Sequence, residues 1–143
     1  MKGKTVVVTG ANSGIGRVTA QEIAKMGAQV VMVCRNKDKA KAVQDDINAL
    51  TGINNCDLFL CDFSSQDSIR QFSEEFRKKY NKVDVLINNA GVILGERQVS
   101  ADGFEMMYAT NHLGYFLMTH YMHLIIQGNT LFFLLSFLFW RCF

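Results

Sequence analysis

The sequence predicts an α/β domain built on a doubly wound parallel sheet. Three observations predict it. Short apolar runs alternate with segments of helical spacing four times, the pattern of βαβ units with right-handed crossovers. The runs are continuously apolar rather than alternating, which marks strands buried on both faces. A glycine-rich turn, "TGANSGIG" (9–16), stands between the first run and the first helical segment.

The elements follow in order. "TVVVTG" (5–10) reads as a strand ended by glycine. Ile15, Val18, Ile23 and Met26 then recur at helical spacing, with Gly27 as a C-terminal cap. "AQVVMVC" (28–34) is a second buried strand. Ala40, Val43, Ile47 and Leu50 mark a second helix, stopped by "TG" at 51–52. "CDLFLCD" (56–62) is a third strand. Ser64 with Asp67 has capping-box spacing, and Ile69, Phe72, Phe76 and Tyr80 form the stripe of a third helix. "VDVLINNAG" (83–91) is a fourth strand running into a turn. After a loop, a helix is expected over about 102–127, broken by "GN" at 128–129. The closing "LFFLLSFLFWRCF" (131–143) is apolar enough for a fifth buried strand. The chain thus divides into residues 1–127, a nucleotide-binding portion of four βα units, and residues 128–143, an apolar tail.

Bulk properties narrow the function. The 143 residues suit one domain. A net charge of +2 with scattered basic residues argues against nucleic acid. The "RKK" group at Arg77 to Lys79 sits beside Glu74 and Glu75 and reads as a solvated helix face. The four cysteines have no C-x-x-C spacing, so no zinc or redox motif is indicated. His112, His120 and His123 lack partner ligands, so no metal is assigned. The opening "MKGKTVVVTG" is too short in apolar residues for a signal peptide, which places the chain in the cytoplasm or on the cytosolic face of a membrane. All 13 acidic residues lie at or before Glu105, and Arg141 is the one charge beyond it. The ten-residue apolar stretch from Leu131 to Trp140 is short of the ~20 a spanning helix needs. Weak membrane association through Phe and Trp remains open to it.

The glycine turn carries the chemistry. Gly10 allows a sharp exit from the strand, Gly14 lets backbone approach a pyrophosphate, and Gly16 lets the helix pack close to the sheet. The helix N-terminus then offers free N–H groups and a positive dipole to phosphates. The second strand ends in "VCRN". No acid stands there to take a ribose 2′-OH. Arg35 stands there instead, and Arg17 follows Gly16, so NADP(H) is favoured over NAD(H). The bland alternative for Arg35 is an exposed strand-end charge. Asp62 ends the third strand, where it suits an adenine amino group or a turn cap. Asn88 and Asn89 end the fourth, with Ala90 and Gly91 small enough for a ribose to lie on the backbone.

Taken in order, "TGANSGIG", "CRN", "CDFSS", "INNAG", "ADGFE" and "NHLGYFLMT" resemble the short-chain dehydrogenase/reductase family, and most of all its retinol-dehydrogenase-like branch. The resemblance covers about residues 4–120. It implies a Rossmann-type fold, NADP(H) as cofactor, and interconversion of lipophilic, retinoid-like alcohols and aldehydes. It implies a phosphate turn of Gly10, Ser13, Gly14, Ile15 and Gly16. It gives Arg35, within "CRN" with Asn36, the 2′-phosphate, and Asp62, within "CDFSS" with Phe63, the adenine. It places Asn89, Ala90 and Gly91 on the ribose, and makes Asn111 the catalytic Asn that holds a water in a proton relay.

The family's proton donor is a Tyr with a Lys four residues on, joined by a Ser that positions the carbonyl. The four tyrosines are followed at that spacing by Asp84, His112, Thr119 and Ile125, and no Lys follows Lys82. Ser136 lies near the place of the family's Ser, in surroundings that lack its usual polar neighbours. The expectation is a chain truncated before the Tyr-Lys pair, binding NADP(H) and catalytically incomplete. Non-catalytic alternatives are a binding module, a homo-oligomer or other pairing through an exposed sheet edge, and a membrane-associated truncated form.

Overall fold

A computed structural model of the chain describes residues 1–123, 125 and 131–134. One parallel sheet organises it: β1 (Thr5–Thr9), β2 (Gln29–Cys34), β3 (Cys56–Leu60), β4 (Val85–Asn88) and β5 (Leu131–Leu134), in spatial order β3-β2-β1-β4-β5. The chain turns outward in both directions from β1 and β4, as in a doubly wound sheet. β5 pairs with β4 in parallel, Val85 opposite Leu131 and Asn88 opposite Leu134. That supports the fifth-strand reading for these four residues. The rest of the apolar tail, Ser136 included, and the "GN" break lie outside the described residues.

The helices α1 (Gly14–Lys25), α2 (Lys37–Thr51) and α3 (Gln66–Lys79) are the crossovers. The period-2 pleat divides the strand residues between two cores. Val6, Val8, Val30, Met32 and Cys34 face α1 and α2, meeting Ala20, Ala24, Ala40, Val43 and Ile47. Val7, Val31, Val33 and Leu86 face the other way, onto Ile69, Phe72 and Phe76 of α3 and onto Tyr115, Met118 and Met122. Every β1 residue is buried, which is why its run never alternates. Each fully buried Val or Phe contributes about 1.5–3 kcal/mol, so these two layers outweigh any local preference that conflicts with them.

Three details depart from the sequence expectation. On α1 the buried residues are Gly16, Ala20 and Ala24, and of the expected stripe Ile23 packs partly buried against the same core, whereas Ile15, Val18 and the C-cap residue Met26 are exposed. The small residues win because they let the helix axis approach the sheet, which larger side chains forbid. α3 is capped by Ser65, whose side chain accepts from Ser68 N–H, and not by Ser64. Ser64 instead donates to Asp62. The expected helix over 102–127 begins later and is not uniform. α4 (Met106–Tyr108) runs into a π-wound turn (Ala109–Leu113) and then α5 (Gly114–His123). Residues 100–105 form a tight loop around Gly103, whose φ of +82° suits glycine. Glu105 caps α4 by accepting from Met107 and Tyr108 N–H.

The amino ends of the strands are tied electrostatically. Asp84 accepts from Thr5 N–H (2.8 Å) and pairs with Lys4 (2.9 Å) and Lys82 (3.3 Å). Asp57 accepts from Tyr80 O–H and pairs with Lys79 at 2.7 Å. Among the described residues no helix is long and apolar enough to cross a membrane.

Candidate nucleotide-binding site

The carboxyl ends of β1, β2, β3 and β4 line one edge of the sheet. The turns leaving them and the first turn of α1 hold every residue singled out for cofactor contact. β1 and β4 are neighbours at the point where strand order reverses, the crevice where open α/β sheets take ligands.

The turn after β1 is shaped by contacts that only glycine allows. Gly10 has φ +65°, and a Cβ there would lie 2.7 Å from Ala90 Cα. A Cβ on Gly16 would lie 2.4 Å from Asn89 Nδ2 and 2.5 Å from the Gly10 carbonyl oxygen. These two glycines lock turn, helix and β4 together. Gly14 differs: it has φ +52° and faces open space. Ser13 is extended before α1 and makes no side-chain capping bond. Asn36, Ser65 and Glu105 do cap α2, α3 and α4. The α1 N-terminus alone among these four keeps its first N–H groups uncapped by a side chain, with the helix dipole behind them. Anions bind at such ends.

Arg35 directly follows β2, and its guanidinium stands 3.9 Å from Asp62 Oδ2 at the end of β3. Asp62 Oδ1 accepts from Ser64 N–H (2.9 Å) and Ser64 O–H (2.7 Å). One carboxylate oxygen thus makes the turn, and the other is left for a ligand or for Arg35. Asn36 caps α2 by accepting from Lys39 N–H at 2.9 Å, so its Oδ1 serves the fold. Arg17, considered beside Arg35, pairs with Asp46 of α2 at 3.2 Å and is directed away from that role. The Phe63 ring is buried, edge-on to Tyr115 with centroids 6.2 Å apart, which leaves its backbone as the part able to meet a ligand.

At the end of β4 the two asparagines divide. Asn88 is fully buried and donates through Nδ2 to Thr119 Oγ1 at 3.0 Å, with its Oδ1 unpartnered among the described residues. Asn89 donates through its backbone to Thr9 Oγ1 (2.8 Å) and through Nδ2 to the Thr9 carbonyl (2.9 Å). Ala90 N–H also donates to Thr9 Oγ1, at 2.9 Å. Asn111, in the π-wound turn, is brought beside this segment. Its amide donates to the Val92 carbonyl and accepts from Val92 N–H, both at 2.9 Å. Gly114 N–H reaches back five residues to the Ala109 carbonyl, which takes it from the Thr110 carbonyl it would serve in an α-helix. A Cβ on Gly114 would lie 2.4 Å from the Phe63 carbonyl oxygen, so this helix is pressed onto the turn after β3.

The short chain dehydrogenase family model matches residues 4–129. The chain belongs to the short-chain dehydrogenase family. It is 46% identical over 120 residues to human retinol dehydrogenase 11, an alignment covering 84% of this chain and 38% of that protein. The chain therefore spans well under half the length of the curated relatives it matches. Among solved structures it superposes on an uncharacterized protein from Mycobacterium paratuberculosis with a TM-score of 0.77 and 36% identity, covering 88% of this chain and 44% of that one. A metagenomic short-chain oxidoreductase crystallised with NADP gives a TM-score of 0.75 and 31% identity, over 87% of this chain and 57% of that one.

None of the four tyrosines of this chain has a Lys four residues on. Tyr115 lies near Gly91, but burial pushes its hydroxyl up to about 12. Tyr80 is raised as well, by burial and then by its bond to Asp57. His112 stacks on Tyr108, with centroids 5.2 Å apart, and His120 meets Tyr121 edge-on. The structure adds residues that sequence patterning missed. Thr9 takes two backbone N–H groups of the β4 turn, and Asp102 accepts from Gln66 N–H (2.8 Å) at the start of α3. A Thr before the first glycine and an Asp in "ADGFE" were the visible signals. Neither declares a partner 36 or more residues away.

Proposed function

We propose that the chain binds NADP(H) along the carboxyl edge of its sheet, as the cofactor-binding portion of an oxidoreductase for lipophilic, retinoid-like alcohols and aldehydes. The observation that carries this is the α1 N-terminus, uncapped by any side chain and opened by Gly14. Ser13, Gly14, Ile15 and Gly16 would hold the pyrophosphate, Arg35 the 2′-phosphate, and Asp62 Oδ2 the adenine amino group. Ala90 and Gly91 would carry the ribose, on a turn that Asn89 and Thr9 hold in shape. The bound cofactor supplies or accepts the hydride.

The protein's own part is to position. Asn111 is fixed in place by two bonds to Val92, which leave its second amide N–H and second oxygen lone pair for a water. The 143 residues contain no Tyr with a Lys four residues on, and proton donation to a developing alkoxide needs such a tuned group. The chain by itself therefore holds the cofactor without turning it over. The retinoid class rests on similarity to retinol dehydrogenases.

The test is calorimetric titration of the purified chain with NADPH and NADH, followed by an assay with NADPH and all-trans-retinaldehyde. Tighter NADPH binding with no turnover is the expected result. Preference for NADH, or no binding of either, overturns the cofactor assignment. Measurable retinaldehyde reduction overturns the incompleteness.

A further inference from the structure

The position assigned to the 2′-phosphate is electrostatically incomplete with Arg35 alone. Arg35 already faces the Asp62 carboxylate at 3.9 Å. The Arg35–Asp62 pair as a whole carries no net charge, and an incoming dianion that approaches Arg35 must also approach Asp62. Asn36 adds no charge, and its Oδ1 is spent on Lys39 N–H. Lys37, the first residue of α2, lines the same groove as Arg35 and Asp62. Its side chain is exposed and enters none of the ion pairs formed among the described residues. The nearby acids are Asp38, its neighbour in the first turn of α2, and Glu75 on the opposite wall. Lys41, one turn on, is neutralised by Asp45.

We propose that Lys37 is a second specificity-determining cation for the ribose 2′-phosphate. Arg35 presents a planar fork and Lys37 a mobile point charge. Together they exceed the single negative charge of Asp62, which Arg35 alone only balances. The inference rests on the NADP(H) reading and adds to it a residue three positions beyond the strand end.

The probes are adenosine 2′,5′-bisphosphate and adenosine 5′-monophosphate, which differ in the 2′-phosphate alone. Each is titrated by calorimetry into the full chain and its Lys37→Gln, Lys37→Arg and Arg35→Gln variants, with thermal melts to confirm folding. Lys37 is exposed, so the variants should melt with the parent. Lys37→Gln is expected to weaken the bisphosphate about fivefold to twentyfold, the range for loss of one charged contact to phosphate near water. It should leave the monophosphate within twofold, and Lys37→Arg should restore most of the loss. The salt dependence of bisphosphate binding should also become shallower. Equal affinities of parent and Lys37→Gln for the bisphosphate, with Arg35→Gln weakened, overturn the role of Lys37 and leave the cofactor reading standing. Equal loss for both probes overturns it too, since the 2′-phosphate is then not what Lys37 reads. No preference of the parent for the bisphosphate overturns the NADP(H) reading itself, and the inference with it.

Discussion

Thr9 and Asn89, eighty residues apart, are bonded twice: Asn89 N–H donates to Thr9 Oγ1 at 2.8 Å, and Asn89 Nδ2 donates to the Thr9 carbonyl at 2.9 Å. The pair joins the ends of β1 and β4 at the point where the cofactor's phosphates and ribose would meet. Thr9 is fully buried, so its hydroxyl is held in place to serve Asn89 N–H.

Thr9→Val keeps the shape and removes the acceptor. The N–H groups of Asn89 and Ala90 then lose their partner, at a cost of about 1–3 kcal/mol for a buried unsatisfied group. Urea unfolding should show that loss, NADPH binding should weaken with it, and Thr9→Ser should recover most of both. A Thr9→Val variant as stable as the parent would show that the two strand ends are held by other contacts.

The phosphate-turn glycines should separate in substitution. Gly16→Ala places a Cβ 2.4 Å from Asn89 Nδ2 and 2.5 Å from the Gly10 carbonyl oxygen. Overpacking of this kind costs about 1–3 kcal/mol, and the displaced Asn89 should abolish NADPH binding. Gly14→Ala meets nothing within 4 Å, but its φ of +52° strains any L-residue, by about 1–2 kcal/mol. Chemical denaturation of both variants checks the order. Gly14→Ala proving the more destabilising would contradict the close packing of Gly16.

Asp84 sets an acid limb on stability. Burial raises its pKa, but the Thr5 N–H, Lys4 and Lys82 together outweigh burial and hold it below the ordinary 3.8. With the folded pKa below the unfolded one, its contribution is complete above pH 3.8 and fades as pH falls through the lower, folded value. Melting temperature against pH should therefore drop less steeply below pH 4 in Asp84→Asn than in the parent, and the variant should be less stable at pH 7. Parallel curves would mean that Asp84 is not linked to folding.

The buried thiols should be inert. Burial pushes Cys34 up to about 11 and both Cys56 and Cys61 up to about 12. The thiolate is the reactive form, so iodoacetamide at pH 8 should leave all three unmodified in the folded chain and label them in urea. Peptide mapping reads this directly. Rapid native labelling of Cys34 would show that the turn at Ala11 and Asn12 opens.

The legible part of this protein was its order. The apolar runs named β1 to β4, and the glycine spacing named the turn after β1, because burial on both faces and close backbone approach each demand particular residue types wherever they occur. Less was legible on α1. Its large residues Ile15, Val18 and Met26 imitate an inward stripe, yet the sheet selects Gly16, Ala20 and Ala24. The helix distance, which no periodicity reports, decides between them. Likewise the spacing pointed to Ser64 as the cap of α3 where Ser65 serves, because the two serines differ in their backbone and not in their chemistry.

The sequence by itself determined the α/β alternation, the glycine turn after β1 and the charge at Arg35, since these depend on residue type and local spacing. Tertiary structure alone decided what each polar group faces. It set Arg35 against Asp62, Arg17 against Asp46, Asn89 against Thr9 and Asn111 against Val92. A hydrogen bond or ion pair is a statement about distance, and distance between residues far apart in the chain is set only when the sheet has closed.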